Sequence, residues 1–178
     1  MCTLTHTHAH SAHPAVVAEA KIDFLQNTLM PDAITHWNSL LRTIPVQGPL
    51  YAYPACISKW SNYSPTRCAV YDSAMACSIG DGIALNIDAQ YKGAYTVYPN
   101  SPNVPVNVAA AAGLADADFA IYVTMKHTSV CGTDDGGTLA YAITCQRDTF
   151  DRPTWGRINF CPRAINTAAT SYNSQLIV

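Results

Sequence analysis

The stretch GGTLAYAITCQRDTFDRPTWGRINFCPRAI, residues 136–165, decides the fold of this 178-residue chain. Near its start Leu139, Tyr141 and Ile143 alternate with small residues, the two-residue period of a half-exposed strand at a sheet edge. Its second half, TWGRINFCP at 154–162, reads as a further strand that Pro162 closes, because proline has no N–H to give to a ladder. Upstream, DFAIYVTM at 118–125 is a β-rich apolar run suited to a buried strand. With helical segments before and after, the three strands define an α/β (α+β) unit: a twisted mixed sheet with an antiparallel edge strand, packed on helices.

The leading helical segment is set by Ile22, Leu25, Leu29, Ala33, Trp37 and Leu40, which recur at steps of three or four. Pro31 falls inside this pattern, where it must kink the helix or restart it near a first turn. A second helix is expected from Asn166 onward, with Ala169, Tyr172 and Leu176 on its apolar stripe, widened by Ile177 and Val178. No Gly or Asn C-cap, terminal Lys or following Pro closes it. The stripe of Leu176, Ile177 and Val178 is costly to leave in water, so either the polypeptide continues or a partner covers it.

Residues 15–178 are expected to form one incomplete unit, preceded by a mobile His-rich leader at 1–14. Between about 45 and 110 the texture turns to Pro, Tyr, Cys and Gly, the composition of an irregular, disulfide-tied excursion with short strands, one of them at about 50–55. Charged residues make up only 12% of the chain against a usual 25% or so, and the net charge is −2. The ten Lys and Arg are scattered singly, which excludes nucleic acid as an electrostatic partner. Seven cysteines without a C-x-x-C pair point to structural disulfides and hence to an extracellular or cell-surface location, although no signal peptide is visible. Cys56 and Cys68 are able to close a short local loop. Asn62-Tyr63-Ser64 is an N-glycosylation sequon, making Asn62 the glycosylation candidate.

Other chemistry-bearing residues read as ordinary structure. His6, His8 and His10 share a face if extended, but a leader offers them no built metal site. Lys126, His127 and Ser129 end a strand with no nucleophile elbow around the serine. Asp134 and Asp135 lack calcium-loop spacing, and GDG at 80–82 is not a dinucleotide fingerprint.

Three stretches read together, ADADFAIYV, GGTLAYAITCQRDTFDRPTWGRINFCPRAI and FLQNTLMPDAITHWNSLLRTIPVQG, resemble the leishmanolysin family of zinc endopeptidases, including its animal invadolysin members. The resemblance implies a metzincin-like N-terminal subdomain whose edge strand runs antiparallel to a bound peptide. Thr138, Leu139, Ala140, Tyr141 and Ala142 match that strand, and the implied partner is a peptide or protein substrate. The family's first strand should precede Lys21, where no stretch reads as one. Neighbouring parallel strands in the family would let Cys131 pair with Cys161, and Cys145 would meet Cys77, leaving Cys2 as the odd thiol.

Zinc is implied as cofactor, but its ligands are expected outside this chain. Such peptidases use H-E-x-x-H on a helix, two His at i and i+4 facing the metal with the Glu activating its water. No such motif occurs in the 178 residues, and no His follows His127. Two functions follow: the N-terminal part of a secreted or surface zinc endopeptidase, inactive by itself, or a non-catalytic binding or structural module on the same scaffold.

Overall fold

The structure, a computed structural model, describes residues 2–5 as backbone only, and residues 19–40, 44–74, 77, 79–132 and 137–167. In chain order the elements are β1 (Cys2–Thr5), α1 (Glu19–Phe24), a π-helical turn (Leu25–Leu29), α2 (Met30–Leu40), β2 (Cys56–Trp60), β3 (Arg67–Tyr71), β4 (Tyr95–Val97), β5 (Val106–Val108), β6 (Phe119–Met125), β7 (Ala140–Arg147) and β8 (Pro153–Phe160). Short 3₁₀ turns lie at Ala89–Tyr91 and Ser129–Cys131.

The main sheet has the order β1, β6, β8, β7. Its centre is the parallel pair β6 and β8, with Ala120 opposite Trp155 and Met125 opposite Phe160. β7 runs antiparallel to β8 at one edge, and β1 pairs parallel with β6 at the other. β1 supplies the first strand that the sequence does not reveal, and it lies in the stretch expected to be a leader. Four residues, two of them Thr, are too short for a periodicity signal, and pairing with β6 makes the strand.

Alternation gives this sheet two different faces. Ala120, Tyr122, Trp155 and Ile143 face the excursion, where Leu50, Ala52, Ile83, Leu85 and Ile87 complete a buried core. The Trp155 indole donates to the Tyr51 carbonyl at 2.8 Å, tying that layer to the sheet. On the opposite face Phe160, Val123, Met125 and Ile158 pack against Phe24, Leu25, Leu29 and Met30. The helical layer keeps its buried doublets five residues apart because of the π turn between α1 and α2. A wide turn immediately before Pro31 also accommodates a ring that has no N–H and would press on the Asn27 carbonyl.

Within the excursion, β2 and β3 form one antiparallel pair and β4 and β5 another. The strand expected at 50–55 is reduced to isolated bridges, Leu50 to Leu114 and Ala52 to Lys92, consistent with Pro54 lacking a donor. The expected final helix lies outside the described residues; 163–167 are turn and coil. Disulfides join Cys56 to Cys68, Cys77 to Cys145 and Cys131 to Cys161, with Cα atoms 5.9, 4.6 and 5.5 Å apart. These pairs agree with the local loop and with the partners implied by the resemblance.

The Cys131–Cys161 bridge closes a loop of sequence separation 30 around the whole β7–β8 hairpin. Replacing both cysteines by Ser is expected to lower stability by about 2–5 kcal/mol. Urea denaturation of the two proteins checks this, with a non-reducing peptide map confirming the remaining bridges.

Candidate functional site

β7 pairs only with β8, so along its other side no strand meets it among the described residues. Of the five residues matched to a docking strand, Ala140, Tyr141 and Ala142 lie on β7, while Thr138 and Leu139 precede it. The Leu139 carbonyl still accepts from the Cys161 N–H at 3.0 Å, which carries the pairing one step beyond the strand. The ladder is regular from Ala140 to Thr144 and then breaks: Thr144 faces Gly156, Gln146 faces Trp155, and Cys145 is the extra residue. Such a bulge bends an edge strand and re-aims a side chain, here into the disulfide with Cys77.

Beneath β7, between α2 and the sheet, is an apolar cleft of about 580 Å³ lined by Ala33, Ile34, Trp37, Phe119, Ile158 and Ala142 among others. Its lining includes no charged side chain. Trp37 remains 46% exposed and Leu40 58%, so the second half of the apolar stripe on α2 has nothing packed over it among the described residues.

On the other face of β7 the chemistry is polar and buried. Arg157, at the middle of β8, has its guanidinium Nη2 2.6 Å from Asp81 Oδ2, and both side chains are fully enclosed. The Tyr141 hydroxyl donates to the same carboxylate oxygen at 2.8 Å and stands 2.9 Å from Thr128 Oγ1, which therefore donates to it. The Ile83 N–H supplies a further bond to Asp81 Oδ1 at 3.2 Å. Burial alone would raise the Asp81 carboxyl, but hydrogen bonds from Arg157, Tyr141 and Ile83 outweigh it and hold the group below its ordinary value of 3.8. Burial is the main cause that pushes the Tyr141 hydroxyl up, so it stays protonated and able to donate.

Asn159, also buried, accepts from Thr124 Oγ1 at 2.8 Å and the Lys126 N–H at 3.0 Å, and donates to the Lys126 carbonyl at 3.0 Å. These bonds fix the ends of β6 and β8. His127 and Ser129 lie beyond them, Ser129 in a 3₁₀ turn, and no nucleophile–base hydrogen bond joins the two. Asn62 is exposed in the turn between β2 and β3 with φ 65°. His6, His8, His10, Asp134, Asp135, Leu176, Ile177 and Val178 lie outside the described residues.

The Asp81 network does not follow from the motifs. The signal that points to it is Arg157, a charge at an inward position of an apolar strand, which requires a buried carboxylate. Its partner lies 76 residues earlier in a glycine-flanked turn, and nothing local marks it.

No group of three or more His, Cys, Asp or Glu able to hold a metal occurs among the described residues. The sequence holds no H-E-x-x-H, and the described residues do not fit a catalytic zinc site. Among the described residues no helix is long and apolar enough to cross a membrane.

The fold and site thus define an α+β domain whose edge strand β7, unpaired along its outer side among the described residues, lies above an apolar cleft. A family model described as Leishmanolysin matches residues 92–178. The chain is 29% identical over 152 residues to a "Leishmanolysin-like peptidase" of Caenorhabditis elegans, covering 84% of this chain and 22% of that protein. It is 31% identical over 143 residues to the "Ciliated left-right organizer metallopeptidase" of Mus musculus, covering 75% of this chain and 20% of that protein. A "Leishmanolysin-like peptidase" of Drosophila melanogaster matches at 26% identity over 84% of this chain. The chain belongs to the leishmanolysin family of metallopeptidases. It spans about a fifth of the length of the curated relatives it matches.

Asp81→Asn leaves the enclosed Arg157 without its counter-charge and is expected to cost about 3–5 kcal/mol, whereas Asp81→Leu with Arg157→Met recovers most of the loss. Because the folded-state value of Asp81 is lowered, its contribution is present above the ordinary carboxylate value and is lost as pH falls through the folded one. Denaturation midpoints between pH 6 and about 2 should therefore fall steeply at the acid end in the wild type and less in the double variant.

Proposed function

We propose that this chain forms the peptide-docking part of a leishmanolysin-family zinc endopeptidase, with β7 as the strand that receives an extended substrate. The observation that carries the reading is the unpaired side of β7 above the small residues Ala140 and Ala142. An edge strand offers N–H and C=O groups at every second residue, so peptides of varied sequence dock by strand addition while small side chains leave room for theirs. The metal ligands and the catalytic water would come from polypeptide outside these 178 residues. Three disulfides support an extracellular or cell-surface setting, where Asn62 would be available to carry a glycan.

Amide exchange tests the docking strand. A saturating unstructured peptide should slow exchange at alternate amides of β7, those whose N–H faces away from β8, and leave β6 unchanged. The chain alone should not cleave the peptide, whereas a longer chain carrying H-E-x-x-H should do so in a chelator-sensitive way. Chelator-sensitive cleavage by the 178-residue chain would sink the proposal.

A further inference from the structure

We infer that the Cys- and Pro-rich excursion, residues 44–117, acts as a jig that holds β7 in the shape required for docking, with Tyr141, Cys145 and Gln146 as its positioning residues. The inference rests on the proposed docking role of β7. Three independent attachments carry it. Tyr141 bonds Asp81, Cys145 is bridged to Cys77, and the Gln146 side-chain amide grips the backbone of Tyr53 on both sides. Its Oε1 accepts from the Tyr53 N–H at 3.1 Å, and its Nε2 donates to the Tyr53 carbonyl.

The spacing shows how the grip works. Tyr141 and Cys145 are four residues apart on β7, and their partners Asp81 and Cys77 are four apart in the opposite direction along the excursion. Cys77 and Asp81 therefore hold β7 from behind at two points, Cys145 and Tyr141. Between the two anchors, Ile143 packs against the core cluster to which Cys77 and Leu85 belong. The bulge at Cys145 serves the same purpose, since it releases one residue from the ladder to reach Cys77 while Gln146 pairs opposite Trp155.

An edge strand held by one neighbour alone is free to fray and twist, and a docking peptide must then supply the ordering. Attachment from behind removes that cost without occupying the open side. The anchors Tyr141 and Gln146 pair opposite Asn159 and Trp155, so these attachments are made on the excursion side of the sheet.

The test uses the 178-residue chain, an unstructured peptide and three variants: Tyr141→Phe, Gln146→Ala and the pair Cys77→Ser/Cys145→Ser. Tyr141→Phe removes one hydrogen bond and keeps the ring, so amide exchange at 140–144 should quicken roughly two- to ten-fold while β6 stays unchanged. Peptide affinity should weaken by a similar factor. Gln146→Ala should do the same at 145–147, and it supplies the test if the paired serine variant fails to fold. Equal acceleration in β6 would mean a general stability role and overturn the inference. So would unchanged β7 exchange, or faster exchange with unchanged peptide affinity. If the wild-type chain shows no peptide-induced protection on β7, the docking reading itself fails, a result separable from the variants' effect on the free chain.

Discussion

The enclosed ion pair between Asp81 and Arg157 is the constraint around which the working edge of the sheet is built. Arg157 sits on a central strand, where a free guanidinium in an apolar layer would be prohibitive, so the excursion must bring a carboxylate to it. That requirement fixes where residues 79–87 cross the sheet. Once Asp81 is there, its remaining lone pairs collect the Tyr141 hydroxyl and the Ile83 N–H, and Cys77, four residues earlier, is bridged to Cys145. One buried charge on β8 thereby sets the position of a segment 76 residues away and, through it, the edge strand beside it.

The two faces of the sheet divide the labour. On the excursion side, hydrogen bonds, a disulfide and an aromatic core centred on Trp155 make a rigid backing. On the helical side, the packing of Phe24, Leu25, Leu29 and Met30 stops short of Trp37 and leaves the cleft open. A strand that is braced from behind and, among the described residues, unpaired along one side suits an extended ligand at its edge. On the docking role proposed for β7, this division would let the edge strand hold a peptide while residues outside these 178 perform the chemistry.

Much of the sheet was legible in the sequence because its signals are local. The alternation at Leu139, Tyr141 and Ile143, the apolar run of β6 and the Pro162 stop each report on a few neighbouring residues, and the structure places strands at all three. The helix at 19–40 was equally legible, except that Pro31 is accommodated by a π turn, a backbone adjustment with no side-chain signature. What escaped depends on distant partners. β1 is four residues that become a strand only beside β6, and the strand read at 50–55 is dissolved by Pro54 into single bridges. The edge strand could be read from its pattern, but not its bulge at Cys145, because a one-residue offset is fixed by the disulfide partner and by the register of β8. GDG at 80–82 carries no motif, and only the structure reveals what the Asp81 carboxylate holds.

The most direct measurement of the central claim, that β7 receives an extended peptide, is a set of isotope-edited NOEs between an unlabelled peptide and the labelled chain. An antiparallel added strand brings facing Hα atoms of non-hydrogen-bonded pairs close together. The account predicts Hα–Hα NOEs from the peptide to residues within 140–144, in the alternating pattern of an antiparallel ladder. Peptide NOEs confined to the cleft residues Ile34, Trp37 and Phe119, with none to the backbone of β7, would contradict it.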